Sequence, residues 1–427
     1  MFGIILGLAL LMFLAYRGWS IIWIAPICAM VVALFGGVEL LPTYTESYMG
    51  GFVAFAKSWF PVFMLGAIFG KLMEDTGAAK AVARWITKMI GPKRAILGVV
   101  VGCGVLAYGG VSIFVVVFAI YPLAVALFRE ANISRKLIPG AIALGSFTFA
   151  MTGIPGTPQI QNLIPMDYFK TTPTAAPIIG IIGGLIMGVG GYIYLVWAEK
   201  KLAAKGDVFS EPEQKLEEVD ESSLPNPFVS FLPLITVIIT LNLLEWHVIP
   251  ALLSGIFLLM LLNIKMHTKF TESINKGASS SVIAIINTSA AVGFGAVVRA
   301  VPAFDNLTAM VLGIEGNPLI SLATAVNLLA GATGSASGGM GIALAALGEK
   351  YYQLAISSGI DPAVFHRIAS LSCGGLDSLP HNGAVLTLLA ITGMTHKTSY
   401  FHIFIVATVI PILATVVGII LGSLGVV

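Results

Sequence analysis

Long apolar runs recur along almost the whole chain and restrict its fold more than any other feature. Most are roughly 15 to 25 residues long, close to the ~20 residues with which a helix crosses a bilayer. Hydrophobic residues make up 57% of the 427 residues and charged residues only 10%, whereas a soluble domain carries about 25% charged residues. We therefore predict an all-α polytopic membrane protein.

Charge and cysteine usage point away from other classes. The formal net charge of +2 gives no basis for binding nucleic acid. The three cysteines, Cys28, Cys103 and Cys373, fit no metal-ligand spacing and are expected to pack as small apolar residues. No cofactor or metal is expected. Residues 1–19 lack a basic region and a small-residue cleavage site, so we predict a retained helix and not a signal peptide.

A charged segment divides the chain into two nearly equal halves. Residues 198–226 carry lysines, then an acidic run, then prolines, which is the composition of a linker. We predict a first repeat at 1–197, a charged linker at 198–226 and a second repeat at 227–427. Shifting the second half by 225 residues places Gly109 on Gly334 and Pro155 on Pro380, and six of the 22 pairs between 91 and 112 are identical.

The predicted elements follow the same order in both halves. The first half reads as helices 2–17, 19–36 and 52–73, short segments 95–108 and 111–128, a broken segment 134–168 and a helix 174–197. The second half reads as 227–243, 247–264, 277–298, 318–333, 337–352, 362–394 and 400–424. We interpret each short pair as a re-entrant hairpin, with two thin spanning helices as the alternative. About five crossings per half, an odd number, then invert the second repeat, as in many secondary transporters.

The basic residues test this topology. With residues 71–94 in the cytoplasm, five basic residues fall outside (Lys57, Lys170, Arg299, Lys350 and Arg367), which leaves 18 of the 23 inside. Both termini are then extracytoplasmic, the linker is cytoplasmic, and the protein is placed in the inner (plasma) membrane. His366 and Arg367 are expected near the outer end of their helix, with Arg367 extending its charge to the interface. Residues 77–90 are predicted to form an amphipathic connector at the cytoplasmic surface.

Four non-helical places are predicted at membrane depth: two hairpin tips and two helix breaks. Ser112 and Ser337 open the second hairpin arms, and Thr157 and Asn382 precede the helices that follow the breaks, all residue types suited to N-capping. An inverted repeat brings these four N-termini together, where free N–H groups and partial positive charge favour a small anion such as a carboxylate. The further candidates for substrate binding are Thr152, Gly153, Gln159, Asn162, Ser335, Gly338 and Ser378. The alternative is plain capping and close helix packing.

The stretch GGLDSLPHNGAVL (374–386) adds an acid and an imidazole that the first half lacks. Asp377 and His381 lie four residues apart, whereas Thr152 and Gly156 stand at the matching positions. Ionisable groups inside a membrane often relay protons, and histidine titrates near neutral pH. We predict a coupling proton here. The alternative is that Asp377 caps a turn and His381 satisfies carbonyls freed by the break.

The segment ALGSFTFAMTGIPGTPQIQNLIPMDYFKTTPTAAPIIGIIGGLIM (143–187) closely resembles the gluconate permease family of bacterial proton-coupled carboxylate symporters, within the ion transporter superfamily. The resemblance implies homodimers of inverted repeats that move substrate by an elevator-like shift of a transport domain against a scaffold. It also implies substrate-binding roles for the motif residues Thr152, Pro155, Thr157, Gln159 and Asn162. GGLDSLPHNGAVL departs from the sugar-acid members and resembles the branch that includes permeases for 3-hydroxybutyrate.

These patterns predict a secondary transporter and not an enzyme. The expected activity is proton-coupled import of a small hydroxy-carboxylate, either 3-hydroxybutyrate-like or a sugar acid such as gluconate. Expected partners are the substrate, membrane lipid and a second copy of the chain. Sodium coupling is the alternative, because hairpin tips rich in hydroxyls and carbonyls can hold Na⁺. An intramembrane hydrolase using a serine with His381 and Asp377 is a weaker alternative, since it gives no reason for two matched halves.

Overall fold

The protein is built from helices. The computed structural model describes residues 2–17, 19–212, 224–304, 317–380 and 382–427, and its regular elements in these ranges are all helical, which confirms the predicted class. The helices of the first half are α1 Phe2–Tyr16, α2 Ile21–Gly36, α3 Leu40–Asp75, α4 Ala78–Ile90, α5 Ala95–Tyr108, α6 Ile113–Glu130, α7 Ile138–Phe147, α8 Ile160–Phe169 and α9 Pro177–Ala203. Those of the second half are α10 Pro227–Asn242, α11 Val248–Leu262, α12 His267–Ala300, α13 Pro318–Thr333, α14 Ala336–Ser358, α15 Pro362–Cys373, α16 Gly383–Thr392 and α17 His396–Ser423.

The observed helix bounds agree with the predicted ones at the first arms of the two hairpins and differ at the two longest helices. Both first hairpin arms, 95–108 and 318–333, coincide with the prediction. The helices predicted at 52–73 and 277–298 are longer in the structure, because α3 and α12 continue through polar turns whose low hydropathy suggested connections. A helix can extend past its apolar stretch into the interface, where its side chains reach water.

The two longest helices, α3 and α12, pack along each other and join the two halves. Small residues allow this close approach. A Cβ at Gly51 would lie 2.6 Å from the Ala296 Cβ, and one at Gly277 would lie 2.7 Å from the Ile68 Cα. Helices α2 and α11 pack against this pair, and α1 and α10 pack against α2 and α11 in turn.

The remaining helices form a second group that contains the hairpins and the breaks. The arms α13 and α14 touch so closely that a Cβ at Gly339 would lie 2.0 Å from the Ala330 nitrogen. Helix α5 approaches α7 in a similar way, since a Cβ at Gly145 would lie 2.4 Å from the Val100 carbonyl oxygen. Such contacts leave no room for larger side chains, so the hairpins are tightly fixed to the helices that follow them.

Several described helices are long and apolar enough to cross a membrane. Four meet this test, at Leu40–Asp75, Pro177–Ala203, Ile264–Ala300 and His396–Ser423, and a fifth span results if the pair 78–90 and 92–108, bent by 95°, is counted as one. One face of α9 is exposed and apolar, through Ile178, Ile181, Leu185, Val189 and Ile193. An exposed apolar stripe of this length suits contact with lipid, in keeping with a multi-pass membrane protein.

Both predicted helix breaks are present. After α7 the chain makes a wide helical turn at Phe149–Gly153 and becomes extended at Ile154 and Gln159 before α8 begins. After α15 a single 3₁₀ turn at Leu376–Ser378 precedes α16. The two breaks expose backbone groups that need partners at this depth.

The residues just after α9 fold back onto the connection between α6 and α7. Asp207 accepts hydrogen bonds from Lys136 and from the Ser134 hydroxyl. Arg129 donates two hydrogen bonds to the Glu211 carboxylate, at 2.7 and 2.6 Å. Burial on its own would raise the pKa of Asp207, but the hydrogen bonds and the charge of Lys136 outweigh burial and lower that pKa. The start of the predicted linker is therefore tied to the second group of helices.

Candidate functional site

The first break is held against the tip of the first hairpin, α5–α6. The Tyr108 hydroxyl donates to the Pro155 carbonyl at 2.8 Å, and the Gln159 amide donates to the Ala107 carbonyl at 2.6 Å. The Thr157 hydroxyl donates to the Tyr108 carbonyl at 3.3 Å. The side chains of Thr157 and Gln159 thus satisfy carbonyls that the hairpin tip leaves without a helical partner.

The second break is held against the tip of the second hairpin, α13–α14. Asn382 donates to the Gly334 carbonyl and to the Asp377 carbonyl, both at 2.9 Å. Its side-chain oxygen accepts from the Val385 amide at 2.9 Å, which confirms the predicted N-cap of α16. Asn327 on α13 adds a further contact, accepting from the Leu376 amide at 2.8 Å.

The other three predicted caps differ in the structure. Ser335 caps α14 instead of Ser337, because its hydroxyl accepts from the Gly338 amide at 3.1 Å while Ser337 already lies in the first helical turn. Thr157 does not cap α8, since the chain stays extended through Gln159 and the helix begins one residue later. Ser112 precedes α6 as predicted, but its side chain makes no capping hydrogen bond.

Two candidate residues of the first break, Thr152 and Asn162, are fully buried and bond the protein's own backbone. The Thr152 hydroxyl donates to the Thr148 carbonyl at 3.2 Å, and the Thr152 carbonyl accepts from the Ser370 hydroxyl at 2.9 Å. Asn162 donates to the carbonyls of Thr157 and Pro173 at 3.0 and 2.9 Å. Both side chains therefore stabilise the backbone around the first break.

Asp377 is a buried carboxyl in the second break, with 4% of its surface exposed. The Ser378 hydroxyl donates to one of its oxygens at 3.1 Å, and the Ser378 carbonyl accepts from the Tyr400 hydroxyl at 3.2 Å. The ion pairs found among the described residues do not include Asp377. Its predicted partner His381 lies outside the described residues, so the structure places only the acid of that pair.

The N-terminus of α16 begins at an exposed residue, Gly383. Asn382 uses one amide of the first turn, that of Val385, and among the described residues nothing lies within 4 Å of a Cβ built on Gly383. A helix N-terminus with uncapped amides and room in front of it attracts an anion. The buried acid and the open helix end thus lie in one short segment.

Arg367 corrects the expectation of an interfacial arginine. It is fully buried on α15, and its guanidinium donates to the Ala175, Gly153 and Pro173 carbonyls and to the Asn162 side-chain oxygen. The sequence predicted a position at the membrane surface, because the assumed order of membrane crossings placed Arg367 near the outer end of its helix.

The neighbouring His366 is also fully buried, which the sequence did not predict. Its ring nitrogens lie 2.6 Å from the Thr171 hydroxyl and 3.4 Å from the Asn162 side-chain oxygen. No local sequence pattern indicated either residue, since their partners lie about two hundred positions earlier in the chain. The one available signal was a charged residue inside a predicted apolar helix.

In its described part the chain is an all-helical apolar fold in which two interrupted helices rest on hairpin tips, an architecture found in many secondary transporters. Two solved transporters share this fold. The YdaH transporter of Alcanivorax borkumensis gives a TM-score of 0.59 at 14% identity over 90% of this chain and 89% of its own. MtrF of Neisseria gonorrhoeae gives 0.52 at 15% identity over 91% and 86%.

The chain belongs to the GntP permease family, whose model, described as GntP family permease, matches residues 1–245. The transporter YxjC of Bacillus subtilis is 42% identical over 95% of both chains. The D-serine transporter DsdX of Escherichia coli K12 is 25% identical over 68% of this chain and 69% of its own. The expected family is confirmed by these matches.

Proposed function

We propose that the protein is a proton-coupled symporter that imports a small hydroxy-carboxylate. The observation that carries this proposal is the position of Asp377, a buried carboxyl five residues before the helix end that Asn382 caps and Gly383 leaves open. A carboxyl at this depth is costly when charged, so binding a proton lowers its free energy. Proton and anion can therefore share one short segment.

An anion is the favoured cargo because two helix N-termini and a buried arginine lie at or behind the breaks and tips. The N-termini of α16 and α14 carry partial positive charge, and both begin at a break or a hairpin tip. Arg367 adds a full buried charge behind the first break. A neutral sugar would gain nothing from this field, whereas a carboxylate would replace the lost hydration by amide N–H groups.

The substrate is proposed to be a short acid with a hydroxyl group near the carboxylate. DsdX is described as a transporter of D-serine, which carries a hydroxyl on its third carbon, as 3-hydroxybutyrate does. Hydroxyl and amide side chains lie close to both tips, at Thr157, Gln159, Ser335 and Asn382. These side chains bond backbone groups in this conformation, and a substrate hydroxyl would exchange with those bonds. A sugar acid such as gluconate is the larger variant of the same chemistry.

The proposed movement is elevator-like. The α3–α12 pair with its neighbours would form a scaffold within a homodimer, and the group with hairpins and breaks would move against it. The matched order of elements in the two halves supports an inverted repeat with both termini extracytoplasmic. The likeness to YdaH and MtrF supports the same fold.

Uptake into proteoliposomes tests the proposal. An inward proton gradient without Na⁺ should drive accumulation of labelled 3-hydroxybutyrate, and unlabelled hydroxy acids and gluconate should compete according to fit. Asp377→Asn, a permanent mimic of the protonated acid, should abolish gradient-driven accumulation but retain exchange of internal for external substrate. Asp361→Asn is the matched control, because Asp361 is an exposed N-cap and asparagine also caps well.

Two results would overturn parts of the proposal. Uptake that requires Na⁺ and ignores the pH gradient would favour sodium coupling. Full gradient-driven accumulation in Asp377→Asn would remove this acid from the coupling. His381→Asn tests the histidine in the same way. An unchanged proton stoichiometry in that variant would leave Asp377 as the single proton carrier of the pair.

A further inference from the structure

Helix α10 belongs to the helices packed around α3 and α12 (the first group), but it also touches the first hairpin. Its packing against α11 is close, since a Cβ at Gly255 would lie 2.4 Å from a methyl carbon of Val237. A Cβ at Gly109, in the tip of the first hairpin, would lie 2.6 Å from a methyl carbon of Leu234 on the same helix. Helix α10 is therefore in contact with both groups of helices that the proposed movement would shift against each other.

The last residue of α10, Asn242, bonds the first break directly. Its Nδ2 donates to the Gly156 carbonyl at 2.8 Å and to the Ile238 carbonyl, one turn earlier on α10, at 3.0 Å. Gly156 suits this contact for two reasons, because its φ of 84° favours glycine and a Cβ there would lie 3.0 Å from the Asn242 side-chain oxygen. The break thus presents a carbonyl and a bare backbone to a side chain of the first group.

The side-chain amide of Asn242 is only partly satisfied in this contact. Its nitrogen has two acceptors, whereas its oxygen is buried and has no hydrogen-bond partner in the described part of the chain. A buried acceptor without a partner costs free energy. When Asn242 leaves Gly156, water can reach both this oxygen and the Gly156 carbonyl, so the open arrangement recovers part of what the closed one gains. The bond is therefore suited to being broken and remade.

A cavity of about 330 Å³ lies beside this contact, between the two groups of helices. Its lining includes Ser58 on α3, Pro173 in the segment after α8, and Asn242 itself. A cavity of this size is large enough for water or a small solute. The Pro173 carbonyl also accepts from the Gly156 amide at 2.9 Å, so the lining is continuous with the first break. Asn242 thus lies between the cavity and the break.

We propose that Asn242 is a latch between the two groups of helices. In the closed arrangement it separates the first break from the cavity, and it releases the Gly156 carbonyl when the groups move. The inference rests on the proposed movement of one group against the other and names a residue that controls it. Asn242 is a positioning residue, since it acts by holding the backbone of the break. Its release opens a path from the cavity to the break, where Thr157 directly follows Gly156.

Thiol labelling of the purified full-length protein, without substrate or pH gradient, measures release of the latch. Thr157 is fully buried, so Thr157→Cys should react slowly with a small water-soluble thiosulfonate. Adding Asn242→Asp keeps the shape of the side chain but replaces its N–H donors by an oxygen that repels the Gly156 carbonyl. Labelling at position 157 should then become roughly tenfold faster, which corresponds to about 1.4 kcal/mol and to the loss of one hydrogen bond.

Two controls separate release of the latch from general loss of structure. Asn263→Ala, in the Thr157→Cys protein, removes an asparagine directly after α11 that donates to the Leu259 carbonyl, one turn earlier, at 2.9 Å. This bond lies within the first group, so labelling at position 157 should not change. The three native cysteines are buried and should stay unlabelled in the Asn242→Asp variant, because a local release does not expose them.

Equal labelling rates with and without Asn242→Asp would overturn the proposal. So would labelling of the native cysteines as fast as position 157, because Asn242 would then support the whole fold and not a local contact. If Asn242→Asp does not fold, Asn242→Ala, which also removes the bond, takes its place.

Hydrogen exchange gives the same comparison if Thr157→Cys does not fold. Exchange of residues 154–160 should accelerate in the Asn242 variant alone, and exchange equal to that of the wild type would overturn the proposal. These measurements contain no substrate and no pH gradient. Their failure is therefore distinct from failure of the proposed function, which would appear as absent pH-driven uptake in the wild type.

Discussion

Asn382 joins the second break to the second hairpin, and its removal should loosen both. Asn382→Ala deletes the N-cap bond to the Val385 amide and the bonds to the Gly334 and Asp377 carbonyls, each 2.9 Å long. Loss of a cap costs about 1 kcal/mol, and each carbonyl left without its partner costs at least about 1 kcal/mol. We expect the opening free energy of α16 to fall by about 3 kcal/mol, which is roughly a hundredfold in rate.

Hydrogen exchange measured by mass spectrometry on peptides from α16 reports this opening directly. Asn382→Ser separates the two contributions, because serine retains a capping oxygen but cannot reach both carbonyls. Its exchange should accelerate by about thirtyfold, from a loss of about 2 kcal/mol. Asn226→Ala is the matched control: Asn226 caps α10 through the Phe228 amide at 2.9 Å, and the expected change in α10 is about fivefold.

The reasoning fails if Asn382→Ala accelerates exchange in α16 by no more than Asn226→Ala does in α10. That result would mean that the bonds to the hairpin tip add nothing to the cap. Equal exchange rates in Asn382→Ser and the wild type would show that the bonds to the two carbonyls do not stabilise α16, which would also refute the reasoning. Uptake measured on the same preparations should fall in the order in which exchange rises, since an open break cannot hold an anion in place.

Three further perturbations have clear directions. Gly339→Ala should prevent folding or lower the melting temperature sharply, because its Cβ would lie 2.0 Å from the Ala330 backbone nitrogen. Asn162→Ala should reduce uptake by more than tenfold, since it removes four hydrogen bonds behind the first break. The pKa of Asp207 is lowered from the ordinary value of 3.8, so its contact with Lys136 stabilises the fold above that pH and is lost as pH falls through the lower folded value. Pepsin at decreasing pH should then cut next to residue 207.

Each of these has a matched control. Gly50→Ala should be tolerated, because a Cβ there meets nothing within 4 Å. Gln353→Ala should leave uptake unchanged, since its amide bonds only the exposed Glu349 side chain one turn earlier on α14. Asp207→Asn should show, at the mildest acid pH at which pepsin is active, the cleavage that the wild type shows only in stronger acid. Wild-type cleavage that does not change with pH would contradict the assignment of the Asp207 contact.

The helices and both breaks were predictable because their signals are local. Apolar runs have lengths set by the bilayer, and the helix breakers Pro155 and Pro380 sit where chain direction changes. Asn382 was predicted as a cap because a good capping residue directly precedes a helical run. Evidence of this kind lies within a few residues of the feature that it predicts.

The errors arose where geometry depends on distant residues. Ser337 was chosen by alignment with Ser112, but Gly334 takes a left-handed backbone with φ of 60° and Ser335 becomes the last extended residue before α14. Arg367 was placed at the interface because its acceptors, among them Ala175, lie 192 positions away and leave no trace near it. The interior position of a charge depends on which segments fold around it, and that information is tertiary.

The two breaks are chemically unequal. Arg367 has the buried apolar residue Ile142 at the matching position of the first half, and Asp377 has Thr152. A site with identical ends would accept an elongated molecule in two opposite orientations. With a permanent charge behind one break and a titratable acid in the other, we expect a single orientation to dominate. In that single orientation the two enantiomers of a hydroxy acid would present their hydroxyl groups to different side chains. The chemical difference between the two breaks therefore predicts that one enantiomer is transported in preference to the other.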